Sequence, residues 1–336
     1  MKLVSYLKDG QDQLAILVDG LLYDTDLMHP DLPVSMSMFL NYWEDVVPVA
    51  SGINRIITEG KVSRQQGIPY EEVQVLAPVP HPTSYRDAYA FRQHVAAARR
   101  NRQVDMIPEF DQYPIFYFGN HNSMLGPGEV VCMPDHFEKL DFELEVAIVI
   151  SKPCKNIKAE EADEYIGGYM IMNDVSARRL QMEEMLLNLG PAKGKDFATT
   201  IGPILVTPDE LEEFKVDCKP GHTGNVYNLK MKCRVNDVQV SEGNLADMDW
   251  TFAEIIERAS YGVQLFPGDI IGSGTVGTGC FLELNGTGKL NDPEYKEQWL
   301  KEGDVVEMEI DGLGKLSNTI VKDESEFSIL ALKKNV

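Results

Sequence analysis

Basic residues are the first shortage. The 336-residue chain carries 31 Lys and Arg against 53 Asp and Glu, a formal charge of −22. Such a surface repels phosphate backbones and anionic head groups, which argues against nucleic-acid or membrane-surface binding. Cysteine is also sparse: Cys132, Cys154, Cys218, Cys233 and Cys280 are odd in number, scattered and free of any C-x-x-C pair. That pattern speaks against a disulfide framework or a thiolate metal knuckle and predicts a reduced, cytoplasmic setting. Long apolar runs are missing as well. The opening MKLVSYLKDGQDQLAIL is interrupted at Lys8 to Asp12 before signal-peptide length is reached, and nothing later approaches the roughly 18 apolar residues of a membrane span. The N-x-T triplet at Asn285 then reads as a chance match.

Hydrophobic residues make up 43% of the chain, enough for one large domain and a small one. Residues 3 to 25 alternate in β fashion and are punctuated by Asp9-Gly10 and Asp19-Gly20, which predicts a small hairpin unit. Helical spacing follows from about Ser37 to Glu59, with Pro48 expected to break it in two. The proline-rich VLAPVPHP places a boundary between a small N-terminal domain, 1–78, and a main domain, 79–336. In the main domain DFELEVAIVI, YMIMND, LKMKCRV, CFLELNG and VVEMEI read as strands, and FRQHVAAARR, ARRLQMEEMLLN and FAEIIERASYG as helices. Strands outnumber helices without regular βαβ repetition, so a β-rich α+β fold is expected.

Two motif matches are set aside. GSGTVG (272–277) satisfies G-x-G-x-x-G, but the CFLELNG stretch after it reads as a strand, leaving no helix N-terminus for a pyrophosphate. GPAKGKD (190–196) resembles a P-loop but is one residue short between its glycines and ends in Asp196, where Ser or Thr is needed.

The stretch DFELEVAIVI poses the chemical question. With a side-chain period of two, Asp141, Glu143 and Glu145 project from one side while Phe142, Leu144, Val146 and Ile148 face the core. An isolated E-x-E is ordinarily a solvated face. Here the uninterrupted apolar continuation marks a strand buried on both sides, where unpaired carboxylates are costly and a cation is the natural partner. Several oxygen ligands suit a hard divalent ion. Asp174 and Asp87 are further candidates, although Asp174 also fits as the N-cap of a helix beginning near Ala177.

Five segments, DAYAFRQHV (87–95), LDFELEVAIVI (140–150), MNDVSARRLQ (172–181), LGPAKGKDFATTIGP (189–203) and GSGTVGTGCFLEL (272–284), resemble in order and spacing the signature segments of the fumarylacetoacetate hydrolase family. The resemblance implies a mixed β-sandwich/β-roll catalytic domain and a divalent metal, Mg²⁺ or Ca²⁺ with Mn²⁺ as an alternative, on Asp87, Glu143, Glu145 and Asp174. It further implies His94 as general base with Glu283 as its carboxylate partner. Arg178, Gln181 and Lys195 would hold substrate and donate to an oxyanion, and Tyr89 and Thr275 would contact substrate. The glycines around Thr275 would let backbone approach the ligand closely. Read singly, His94, Arg178 and Gln181 would be helix-surface residues and Lys195 a solvated loop residue.

The activity implied is metal-dependent hydrolysis of a carbon–carbon bond in a β-diketo acid, fumarylacetoacetate or an acylpyruvate, by a homodimer in aromatic amino acid catabolism. The alternatives are decarboxylation or isomerisation of a 2-oxo acid on the same metal site, or calcium binding without catalysis. Met185 stands where a substrate-binding Tyr is expected, Arg179 replaces an Asp, and Gln103 stands where an Arg is expected, so the acyl group recognised is expected to differ from that of fumarylacetoacetase.

Overall fold

The computed structural model describes residues 1–334. Its largest sheet runs through Ile68–Pro69, Leu21–Asp24, Gln11–Val18, Lys2–Lys8, Thr199–Val206, Ile166–Asp174, Leu144–Ile150, Asp269–Gly272, Ser84–Ala88 and Phe116–Phe118. A second sheet of five strands is ordered Val238–Asn244, Lys230–Val235, Val305–Ile310, Gly314–Lys322 and Gly128–Cys132. Leu144, Val146, Ile148 and Ile150 share one core with Met231, Cys233, Met308 and Ile320 of the second sheet. Ala147 and Val149, on the opposite face, pack with Met36, Phe39, Met170 and Met172 in another. The α+β, sheet-rich expectation is met, and the apolar run 146–150 is explained by a strand with a core on each face.

The predicted N-terminal hairpins form where Asp9-Gly10 and Asp19-Gly20 stand. All four residues have positive φ (50°, 79°, 48° and 76°), the geometry of a tight two-residue hairpin turn. The hairpin strand Lys2–Lys8 pairs with Thr199–Val206, so the sheet runs on from the N-terminal segment into the main one.

Two expectations are corrected. Pro48 does not break the helical segment: the helices are Met36–Asn41 and Trp43–Thr58, the interruption falls at Tyr42, and Pro48 lies inside the second. The carbonyl that loses its donor belongs to Glu44, which is exposed, as is Pro48, so water can satisfy it. CFLELNG is not a strand but opens the helix Phe281–Asn291, with Cys280 as N-cap. Short apolar stretches do not distinguish the two periods, and Asn285, Gly286 and Gly288 masked the helix.

Candidate active site

Four carboxylates meet where three strands end. Asp174 closes Ile166–Asp174, Glu145 lies at the start of Leu144–Ile150 with Glu143 just before it, and Asp87 stands near the end of Ser84–Ala88. One oxygen from each of Asp87, Glu143, Glu145 and Asp174 lies within 4.8 Å of the others, and all four side chains are buried. The strand Asp269–Gly272 runs between those of Glu145 and Asp87, and it contributes a residue without a side chain. A Cβ on Gly272 would stand 2.4 Å from Asp87 Oδ1, so Asp87 reaches across only because that position is glycine.

The charges around the cluster are uneven. Lys195 Nζ donates to Glu143 and, at 2.6 Å, to Asp174. Arg178 is fully buried and spans Asp141 (Nε to Oδ2, 2.8 Å), Glu143 (Nη2 to Oε1, 2.7 Å) and Gln181 (Nη1 to Oε1, 2.9 Å). Burial acts to raise Glu143, but Lys195, Arg178 and His94 outweigh it and hold its carboxyl below the ordinary range. Asp87 and Glu145 have neither cation. Asp87 accepts from Gly274 N at 3.1 Å, Glu145 Oε1 accepts from Thr275 Oγ1 at 3.2 Å, and Glu145 Oε2 is buried without a partner. Burial first, then the neighbouring carboxylates, push both well above the usual range. Burial also raises Asp174, against the pull of Lys195, and Tyr117 Oη donates to it at 2.5 Å. An all-oxygen donor set with an orphaned carboxylate oxygen fits a hard divalent cation.

Beside the cluster, His94 Nδ1 lies 2.6 Å from Glu283 Oε2, with both side chains buried. His94 comes from the first turn of the helix Arg92–Asn101 and Glu283 from the first turn of Phe281–Asn291. Tyr89 packs edge-on against the imidazole, its ring centroid 6.0 Å away, and burial pushes its hydroxyl up to about 12. An imidazole with a carboxylate on Nδ1 keeps Nε2 free to accept a proton and stabilises the cation that results.

The structure therefore gathers Asp87, Glu143, Glu145, Asp174, Lys195, Thr275, His94, Glu283 and Tyr89 into one region; Arg178 joins it through Glu143, and Gln181 through Arg178. Asp174 caps no helix, since the helix Arg178–Met185 has Ala177 at its N-cap. Asp141 departs from the acid row: the strand breaks at Phe142 and Glu143, and Asp141 instead accepts the amides of Phe281 (2.7 Å) and Leu282 (2.9 Å). That carboxylate occupies the helix N-terminus that follows G-x-G-x-x-G. The motif is thus followed by a helix after all, but by one already capped from within. The glycines around Thr275 let neighbouring chain approach closely: a Cβ on Gly274 would lie 2.6 Å from Ala88 O, and one on Gly277 would lie 2.3 Å from Gln93.

Tyr117 and Glu184 were missed. Tyr117 sits in an unremarkable aromatic stretch with no spacing signal. Glu184 accepts the amides of Ala192 (2.8 Å), Lys193 (2.8 Å) and Gly194 (3.1 Å), filling the nest of the P-loop lookalike and fixing the backbone just before Lys195. The glycine-rich loop itself was the available signal.

The C-terminal profile of fumarylacetoacetate (FAA) hydrolase matches residues 83–321, and the chain belongs to that family. It is 30% identical over 308 residues to a human mitochondrial oxaloacetate tautomerase, covering 90% of this chain and 84% of that protein. An uncharacterised protein of Methanocaldococcus jannaschii is 36% identical over 216 residues, 64% of this chain and 76% of the relative. Among solved structures, a fumarylacetoacetate hydrolase from Exiguobacterium antarcticum superposes with a TM-score of 0.69 at 23% identity, covering 96% of this chain and 100% of that one. A maleylpyruvate hydrolase from Sphingobium, in complex with manganese(II) and pyruvate, gives 0.67 at 20% identity, with the same coverage. The fold is that of the family, whose members include hydrolases, isomerases and tautomerases. No helix among the described residues is long and apolar enough to cross a membrane.

Proposed function

We propose that the protein is a metal-dependent enzyme that moves a proton on a 2-oxo acid, interconverting keto and enol forms of an oxaloacetate-like dicarboxylate. The buried His94–Glu283 pair beside four converging carboxylates carries this reading. The 30% identity to oxaloacetate tautomerases across 90% of the chain favours a C–H proton as its target.

Asp87, Glu143, Glu145 and Asp174 would hold the ion, Mg²⁺, Mn²⁺ or Ca²⁺, and it would supply Lewis-acid polarisation of the keto oxygen. His94 Nε2 takes the proton from the carbon next to the carbonyl, and Glu283 stabilises the imidazolium through Nδ1. The electron pair left on carbon moves onto the carbonyl oxygen, and returning the proton there gives the enol. Lys195 and Arg178 hold Glu143 ionised and in place, and Tyr89 and Thr275 border the space for substrate.

Hydrolysis of a β-diketo acid is the second reading, favoured by two unused donors. Lys195 commits its ammonium to two acceptors and so keeps one N–H, and Gln181 Nε2 has no protein partner among the described residues. Both could stabilise a tetrahedral alkoxide while His94 activates water. Hydroxide then adds to the carbonyl carbon, the carbon–carbon bond breaks toward the enolate, and His94 returns the proton to carbon. The test measures enol-to-keto conversion of oxaloacetate, deuterium entry at its methylene carbon, its decarboxylation and acylpyruvate cleavage, all with Mg²⁺ or Mn²⁺. Enzyme-dependent tautomerisation without cleavage supports the first reading and cleavage the second. Decarboxylation without tautomerisation or cleavage, or no turnover on any substrate, overturns both.

A further inference from the structure

The described residues include a second ligand cluster, built on a thiol that the proton-transfer chemistry does not use. A ring nitrogen of His94, Cys280 Sγ and a carboxylate oxygen of Glu143 lie within 4.8 Å of one another, and all three side chains are buried. This donor set, one nitrogen, one sulfur and one oxygen, differs in kind from the four oxygens next to it. We propose that His94, Cys280 and Glu143 form a distinct site for a borderline or soft divalent cation of the zinc and cadmium type, and that filling it removes His94 from proton transfer.

Three features support this assignment. First, His94 is already oriented as metal-bound histidines are: its Nδ1 is held by Glu283 at 2.6 Å, which leaves Nε2 as the nitrogen with a free lone pair. Second, the thiol makes one weak polar contact where it stands. Cys280 Sγ accepts the amide of Glu283 at 3.5 Å, but sulfur is a weak acceptor, and the amides of Phe281 and Leu282 are already capped by Asp141. Third, Glu143 accepts one hydrogen bond on each oxygen, from Arg178 and from Lys195, so each oxygen retains a lone-pair direction.

Donor atoms around a tetrahedral zinc lie roughly 3.3–3.8 Å apart, given Zn–N near 2.0 Å and Zn–S near 2.3 Å. Donors that lie within 4.8 Å of one another therefore need to close by up to about 1.5 Å, within reach of side-chain rotation. Softness sorts the two sites: thiolate and imidazole select zinc or cadmium, whereas the neighbouring oxygens suit magnesium or manganese. Glu143 belongs to both, so the occupants are coupled. Binding displaces the thiol proton, and the protein is expected to release it to solvent.

The experiment titrates the full-length protein, freed of other divalent ions, with cadmium and reads the ultraviolet thiolate-to-cadmium charge-transfer band. This measures the site independently of turnover. One equivalent should develop the band in the parent protein and in Cys218→Ser, which removes the one cysteine that is not buried. Cys280→Ser should abolish it, and its serine still caps the helix. Should that variant fail to fold, Glu283→Gln serves instead, with an expected loss of about 10- to 100-fold in cadmium affinity through the histidine it orients. No band, or an equal band in Cys280→Ser, overturns the site. The consequence for catalysis rests on His94 being the base. If cadmium binds through Cys280 and proton transfer continues undiminished, the site stands and that reading of His94 falls.

Discussion

The side chain of Asp87 lies across Gly272, with its Oδ1 2.4 Å from where a Cβ would stand. Two strands separated by a third can share a ligand set only if the middle one is bare at that point. Gly272→Ala is therefore expected to push Asp87 out of the cluster while leaving His94 and Glu283 paired. Divalent-metal affinity, measured by calorimetry, should fall by about 10- to 100-fold, the range seen when a site's support is removed. Unchanged affinity would mean that Asp87 is not a ligand.

Metal and pH should act on stability together. Burial first, then the nearby Asp174 and Glu143 carboxylates, raise Asp87 and Glu145 above their unfolded values, about 3.9 and 4.3, in the metal-free protein. A raised acid contributes stability that is complete below the unfolded value and lost as pH climbs through the folded one. Relative to Glu145→Gln, which removes one of the two acids, chelator-treated protein should thus lose melting temperature as pH rises from about 5 upward. Added Mg²⁺ or Mn²⁺ should reverse the trend, by about 2.7 kcal/mol at one hundred times its Kd. A metal-free protein that gains stability relative to Glu145→Gln across this range contradicts the assignment.

For the base, His94→Ala should keep its metal and fold yet lose about 10²–10⁴ in turnover. Glu283→Gln should lose less, since it orients and stabilises the imidazole without taking the proton. Deuterium exchange at the substrate carbon, followed by NMR, reports this step directly. Exchange that persists at full rate in His94→Ala removes the histidine from the mechanism.

Asp141 is expected to act first on stability. It pairs with buried Arg178 at 2.8 Å and caps the helix that carries Glu283. Asp141→Ala leaves a buried guanidinium short of a partner and should cost about 3–5 kcal/mol in denaturant unfolding. A surface-like change below about 0.5 kcal/mol would show that Arg178 finds full compensation elsewhere.

Glu184 ties the amides before Lys195, and the turn it closes carries Leu186, Leu187 and Leu189 in the open, the last 93% exposed. Glu184→Ala should free that turn, speeding limited proteolysis between 185 and 193 and lowering turnover. Equal cleavage in both proteins would count against the tether.

By itself the sequence determined the hairpins, through Asp-Gly pairs whose backbone preference is local, and the doubly buried strand, through an apolar run too long for an alternating face. It also marked the acids, because Glu143 and Glu145 lead into that run and Asp174 ends another. Family resemblance supplied their grouping with Asp87, and His94 with Glu283, across separations of up to 189 residues that no periodicity spans. Tertiary structure alone decided that Asp141 leaves the acid row to cap a helix, that CFLELNG is that helix, and that Gly272 clears the way for Asp87. The physical reason is the same in each case. A side chain's direction follows from its own backbone, but its partner is set by which distant strand or helix end packs against it, and burial makes leaving that partner unmet too costly.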